Sequence, residues 1–222
     1  MNTRTLWIGL GLVTLLSFSV LLFFGKEIYR QKPPIPEKVV SESGEVLFTA
    51  QQIRDGQNVW QSIGGQQVGT VWGHGAYLAP DWSADWLHRE SQTILGGWSQ
   101  TEFGIPFDNI APEKQAMLEV RLQKVLRANT YDEQTGVLRL PADRVNAVKN
   151  NTAYYAGLFM DDTSLENLRE AYSIPAGTIK DKERMAAMNA FFFWAAWACV
   201  TERPGSDLTY TSNWPPDPVI GN

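Results

Sequence analysis

Apolar residues run without a charge from Leu6 to Phe24, interrupted only by Gly, Thr and Ser. At ~1.5 Å per residue a helix of that length approaches the ~30 Å hydrocarbon core of a bilayer, so the stretch predicts one transmembrane helix. A cleaved signal peptide would carry a shorter apolar core and a small-residue cleavage site. Gly-Lys-Glu-Ile-Tyr-Arg follows instead, which favours an uncleaved anchor. Lys32-Pro-Pro-Ile-Pro-Glu37 comes next, and its prolines remove donors and restrict their predecessors, predicting a stiff extended spacer.

Beyond the spacer the pattern becomes that of a globular domain. Val39-Val40 and Val46-Leu47-Phe48 flank Ser41–Glu45 and predict a small β-hairpin. Thr49-x-x-Gln52 is a capping-box signal, and Ile53, Val59, Trp60 and Ile63 form an approximate helical face behind it. A second helix is expected from Ser83, with Ser83 as its cap and Asp85 in its first turn, and Trp98–Phe107 reads as irregular. Leu118, Leu122, Val125 and Leu126 recur at helical spacing after Pro112, predicting an amphipathic helix to about Ala128. Tyr131–Gly136 reads as a turn, Val137–Leu140 as a short strand, and Pro141 as the opening of a helix carrying Val145, Val148, Tyr155 and Phe159. The last helix, about Asp181 to Cys199, is apolar all round at its C-terminal end. Its run from Met185 to Val200 contains Asn189 and is short for a bilayer, so it is expected to close the domain with one side towards membrane or partner. The fold class is mainly α with a small β-hairpin: one N-terminal transmembrane helix plus a globular domain.

Between the first two globular helices lies the stretch Gly64–Asp81, in which Gly64, Gly65, Gly69, Gly73 and Gly75 fall close together. That density suits a loop wrapped tightly around a ligand or a neighbouring surface. The 222 residues allow the anchor and one domain of ordinary size. A net charge of −5, from 24 acidic and 19 basic residues, argues against a nucleic-acid partner. Nine tryptophans serve cores, pockets and membrane boundaries alike.

Chemistry-bearing residues are few. Cys199 is the only cysteine, so covalent haem, which needs two thiols and an adjacent imidazole, is excluded, and Cys199 reads as a small buried hydrophobe. His74 and His88 could clamp a non-covalent haem or bind zinc with Glu90 or Asp85, but their spacing matches no recognised metal motif. A loop contact for His74 and a helix-surface position for His88 are the alternatives. No nucleophile box occurs, and Asp161-Asp162 reads as a helix start rather than a catalytic pair.

Val59-Trp60-Gln61 and Thr70-Val-Trp-Gly-x-Gly-Ala-Tyr-x-Ala-Pro-Asp81 resemble the segment around the haem attachment site in the cytochrome c subunit of bacterial nitric oxide reductases. There a Cys-x-x-Cys-His box precedes the Thr; by position it falls on Gly65, Gln66, Gln67, Val68 and Gly69 here. Lacking the box, the chain resembles the N-terminal cytochrome c-like, haem-free domain of the quinol-dependent nitric oxide reductases. Asn213-Trp-Pro-Pro216 extends the likeness to the C-terminal end.

The resemblance implies an enzyme that reduces two NO to N2O and water with quinol electrons. Its haem b, haem b3 and non-haem iron lie in a catalytic membrane partner, and this chain holds no cofactor and no catalytic residue. It implies a calcium ion between the two haems, with Gly75 and Tyr77 as partial ligands; the alternative is that Gly75–Leu78 only packs against the partner. It places the domain on the periplasmic face of the bacterial inner membrane, whereas Lys26, Arg30, Lys32 and Lys38 after the anchor would hold it in the cytoplasm by charge alone. The expected layout is an anchor over 1–30, a spacer over 31–38, a cytochrome c-like domain over 39–204, and a tail over 205–222 leading towards a catalytic membrane domain. Two other readings stay open: a membrane-tethered periplasmic module whose tryptophans and glycine loop hold a small molecule, and a b-type electron carrier using both histidines.

Overall fold

The structure is a computed structural model and describes residues 2–73 and 75–212. The chain divides into two compact units between Pro34 and Ile35. The first is helix α1 (Thr3–Gln31), capped by the Asn2 side chain and without a buried residue. It is long and apolar enough to cross a membrane. The Asn213–Pro216 stretch and His74 lie outside the described residues.

The second unit is mostly helical. In chain order it contains β1 (Lys38–Ser41), β2 (Val46–Thr49), α2 (Ala50–Ser62), α3 (Trp82–Phe103), α4 (Pro112–Arg127), β3 (Tyr131–Asp132), β4 (Val137–Leu140), α5 (Ala142–Phe159), α6 (Glu166–Tyr172) and α7 (Lys182–Val200). The expected hairpin is present as β1 and β2, and the sheet is larger than the hairpin. Its order is β2-β1-β4-β3, with β4 parallel to β1 and Lys38 opposite Val137. That pairing joins strands far apart in sequence, so no local turn signal announces it.

Side-chain caps start α2, α3 and α7. Thr49 and Gln52 form the reciprocal capping box that starts α2. In α4, Leu118, Leu122 and Leu126 make one fully buried stripe. Helix α3 departs from expectation at both ends. It begins at Trp82 under an Asp81 cap, not at a Ser83 cap, and it continues through Gly96-Gly97 to Phe103 rather than becoming irregular at Trp98. Two adjacent glycines weaken a helix, but Trp98 and Ser99 are buried beyond them, and the tertiary contact carries the helix on.

Helix α7 is the centre of the core. From Met185 to Val200 only Ala186 and Trp194 are less than buried, so the side expected to face membrane or partner is instead covered by α2, α3 and α5. Phe193 meets Phe48, Phe191 meets Trp60, and Phe192 stacks on Trp82 at 5.7 Å. Cys199 is fully buried there, and burial pushes its thiol pKa far above the ordinary value, in keeping with a small core residue. Helices α3 and α5 are tied by an ion pair closed to solvent, Arg144 Nε to Glu90 Oε1 at 2.7 Å.

The α2–α7 crossing depends on backbone approach. A Cβ on Gly56 would come within 2.0 Å of the Ala187 carbonyl oxygen and 2.7 Å of the Phe191 Cβ. Both obstacles are fixed, so neither can swing aside. Gly56→Ala is therefore expected to lose about 1–3 kcal/mol of stability by overpacking, despite the better helix propensity of alanine. Denaturant unfolding of the detergent-solubilised chain measures it through a lowered midpoint at unchanged slope.

Candidate functional site

The glycine loop runs from the end of α2 to the start of α3, and one carboxylate closes its base. Asp81 Oδ1 accepts the Ser83 and Ala84 backbone N–H groups at 3.0 and 3.1 Å, capping α3. Its other oxygen, Oδ2, accepts the Thr70 hydroxyl and the Gly73 N–H, both at 2.7 Å. The Thr70 hydroxyl oxygen accepts the Gly75 N–H at 2.8 Å, and the Thr70 carbonyl accepts the Trp82 N–H at 2.8 Å. Five backbone donors and one hydroxyl are thus satisfied by two residues. Asp81 is itself buried and leaves no oxygen idle.

Aromatic anchors fix the loop's flanks. Trp60 Nε1 donates to the Gly69 carbonyl at 3.2 Å, and Trp72 Nε1 donates to the Ala195 carbonyl on α7 at 2.8 Å. Trp72 adopts a positive φ of 55° with its ring against Trp194, an uncommon conformation for a bulky residue that these contacts hold in place.

What the clamp presents outward is the segment after Gly75. Gly75 turns with φ +85°, a left-handed conformation suited to glycine, and a hydrogen bond from Ala76 N–H to the Ala79 carbonyl closes the tip. Tyr77 is fully exposed there and Leu78 more than half exposed. Gly75, Ala76 and Tyr77 line an open depression of about 640 Å³ together with Gln66 and Gln67. The structure therefore brings both expected calcium ligands to one surface.

The positions of the haem box are also defined. Gly65 and Gly69 are buried, Val68 is half-buried, and Gln66 and Gln67 are exposed. A Cβ on Gly69 would stand 2.3 Å from the Trp82 indole nitrogen, so no side chain fits where the box would carry its histidine. The residues present do not fit a covalently held haem, in geometry as well as in composition.

The remaining candidates are dispersed. His88 lies exposed on α3 with its ring 3.0 Å from Gln92 Nε2. Glu90 is consumed by Arg144 in the core, while Asp85 pairs with Arg89 and accepts from Tyr155, so neither carboxylate joins His88 as a zinc ligand. Among the described residues no group of three or more His, Cys, Asp and Glu could hold a metal ion. Asp162 caps a short turn leading into α6, as a helix start should. Thr70 and Asp81 do not stand out from the sequence as working residues. Their available signal is an Asp immediately ahead of a helix and a Thr at the far end of a glycine-rich stretch.

Residues 36–216 match the model of the NorB cytochrome c-like domain of nitric oxide reductase. No curated protein matches the chain. The matched stretch is the mainly helical domain with its small sheet and clamped glycine loop, and it makes up most of the chain. The chain belongs to the NorB cytochrome c-like domain family of nitric oxide reductase.

Asp81→Ala removes the α3 cap and both loop ties while leaving Thr70 and Gly73 without their acceptor. A loss of roughly 2–4 kcal/mol is expected, combining a cap with charged hydrogen bonds. Amide hydrogen exchange gives the location: residues 70–81 should lose protection first, ahead of α7.

Proposed function

We propose that this chain is the haem-free cytochrome c-like domain of a quinol-dependent nitric oxide reductase, and that it covers and stabilises the catalytic haem-b membrane subunit. The observation that carries this reading is the clamped loop. Asp81 and Thr70 tie the loop at Gly73 and Gly75, and Tyr77 beyond them stands wholly in solvent. An aromatic left uncovered beside a fixed turn is a typical interface anchor once a partner buries it.

Within this reading, residues 1–30 are the anchor, 31–38 the spacer, 39–204 the periplasmic domain and 205–222 the tail towards the catalytic domain. The reaction of the complete enzyme is the reduction of two NO by quinol to N2O and water. Gly75 and Tyr77 supply oxygen ligands to a calcium ion whose other ligands belong to the partner and its haems. Carbonyl and phenolic oxygens suit a hard cation with a flexible shell, and two such ligands leave the rest of the shell to the partner. Without a haem in this domain, electrons enter as quinol from the bilayer and not through a soluble cytochrome.

Tyr77 separates the docking role from a purely structural one. Because its side chain is wholly exposed, Tyr77→Ala should change stability by less than about 0.5 kcal/mol. The same variant should recover several-fold less haem-b partner when the tagged chain is purified. Tyr77→Phe should keep assembly and lower the calcium content of the purified complex. Wild-type recovery with Tyr77→Ala would remove the loop from the interface, and a saturable small-molecule shift in melting temperature of the isolated chain would favour a ligand-binding module.

A further inference from the structure

A set of aromatic rings fills the seam between α3 and α5. Trp86 lies face to face with Tyr155, centroids 5.4 Å apart and planes within 5°. Tyr155 meets Tyr154 at 5.1 Å, and Trp82 meets Tyr155 edge-on at 6.1 Å. Packing explains the contacts between the rings; it does not explain how their polar ends are provided for.

The indole N–H groups of Trp82 and Trp86 are buried without an acceptor among the described residues, although a buried tryptophan usually finds one. Tyr155 has one. Its hydroxyl donates to Asp85 Oδ2 at 2.6 Å, and Arg89 Nε, donating to the same oxygen at 2.9 Å, holds that carboxylate in position. Tyr154 is provided for in the opposite way. Arg89 Nη2 donates to its hydroxyl at 2.7 Å, and the guanidinium carbon lies 3.4 Å over its ring.

Losing an electron makes a phenol or an indole strongly acidic, so the ring whose proton has a base in line is the easiest to oxidise. Among the described residues the two indoles have no base to receive their proton. Tyr154 has a cation over its face, which opposes the positive charge that oxidation creates. Within this ring set, Tyr155 alone combines ring contact with a proton acceptor.

We propose that Tyr155 is a redox-active tyrosine that returns an electron to oxidised core tryptophans, with Asp85 as its proton acceptor. The oxidant is of the nitrogen dioxide class, a choice that rests on the nitric oxide chemistry proposed above. Nitrogen dioxide takes one electron from Trp86 and leaves as nitrite. Tyr155 gives one electron to the Trp86 radical cation, and its phenolic proton moves along the existing hydrogen bond to Asp85. The products are intact Trp86, a neutral tyrosyl radical and a neutral Asp85 carboxyl; the only bond broken is the phenolic O–H and the only one formed is the carboxyl O–H. Burial, reinforced by the charge of Asp85, pushes the Tyr155 phenol well above its ordinary pKa, so the ring starts protonated at neutral pH.

The test is laser flash photo-ionisation of the indoles in the full chain, in detergent and oxygen-free buffer. The indole radical signal should decay as a phenoxyl radical signal grows. Tyr155→Phe should reduce that growth several-fold, while Tyr154→Phe should leave its amplitude unchanged, both with wild-type near-ultraviolet circular dichroism. Asp85→Asn should slow the growth several-fold. Heavy water should slow it in the unaltered chain, a readout that needs no variant to fold. Full phenoxyl growth in Tyr155→Phe, or equal rates in light and heavy water, would overturn the proposal. None of these readouts involves nitric oxide or a partner chain, so the redox role can fail while the functional reading stands, and the reverse.

Discussion

A single carboxylate, Asp81, has to satisfy two structures at once. One oxygen caps α3 and the other holds Thr70 and Gly73, so the start of the helix and the shape of the glycine loop are set by one charge. Such bonds to an ionised acceptor are stronger than neutral ones, and a buried carboxylate without them would be costly. The loop ordered this way contains the exposed Tyr77, and the helix capped this way carries Trp82 and Trp86 into the core. Surface presentation and core packing therefore share one point of support.

Indole and phenyl rings fill much of the core. Trp82 occupies the room beside Gly69, stacks on Phe192 and meets Tyr155, Phe159 and Tyr172 edge-on. Burial of large rings is the dominant favourable contribution open to a domain of this size. The same indole that stabilises the fold leaves no room at Gly69 for the imidazole a covalent haem would require.

Signals in the sequence are legible wherever the chemistry is local. The Thr49–Gln52 capping box, the Leu118–Leu122–Leu126 stripe and the uncharged run of α1 each announce their element within a few residues. Legibility ends where distant contacts decide. Trp98–Phe107 reads as irregular, yet α3 continues to Phe103 because Trp98 is buried and donates to Asp143 on α5 at 2.8 Å. The parallel pairing of β1 with β4 has no turn between its partners to signal it. Helix α7 reads as half-exposed because its apolarity is uniform, and the packed structure covers nearly all of it. At the site, Gly75 and Tyr77 are legible through a resemblance, whereas Asp81 reads as the end of a motif and not as its clamp.

The most direct measurement is to purify the tagged chain from its own membranes and record what accompanies it. The expected result is a polytopic haem-b protein that consumes nitric oxide with quinol and not with a reduced soluble cytochrome. A chain that emerges alone and colourless from membranes that retain such activity would contradict its assignment as the covering domain of that enzyme.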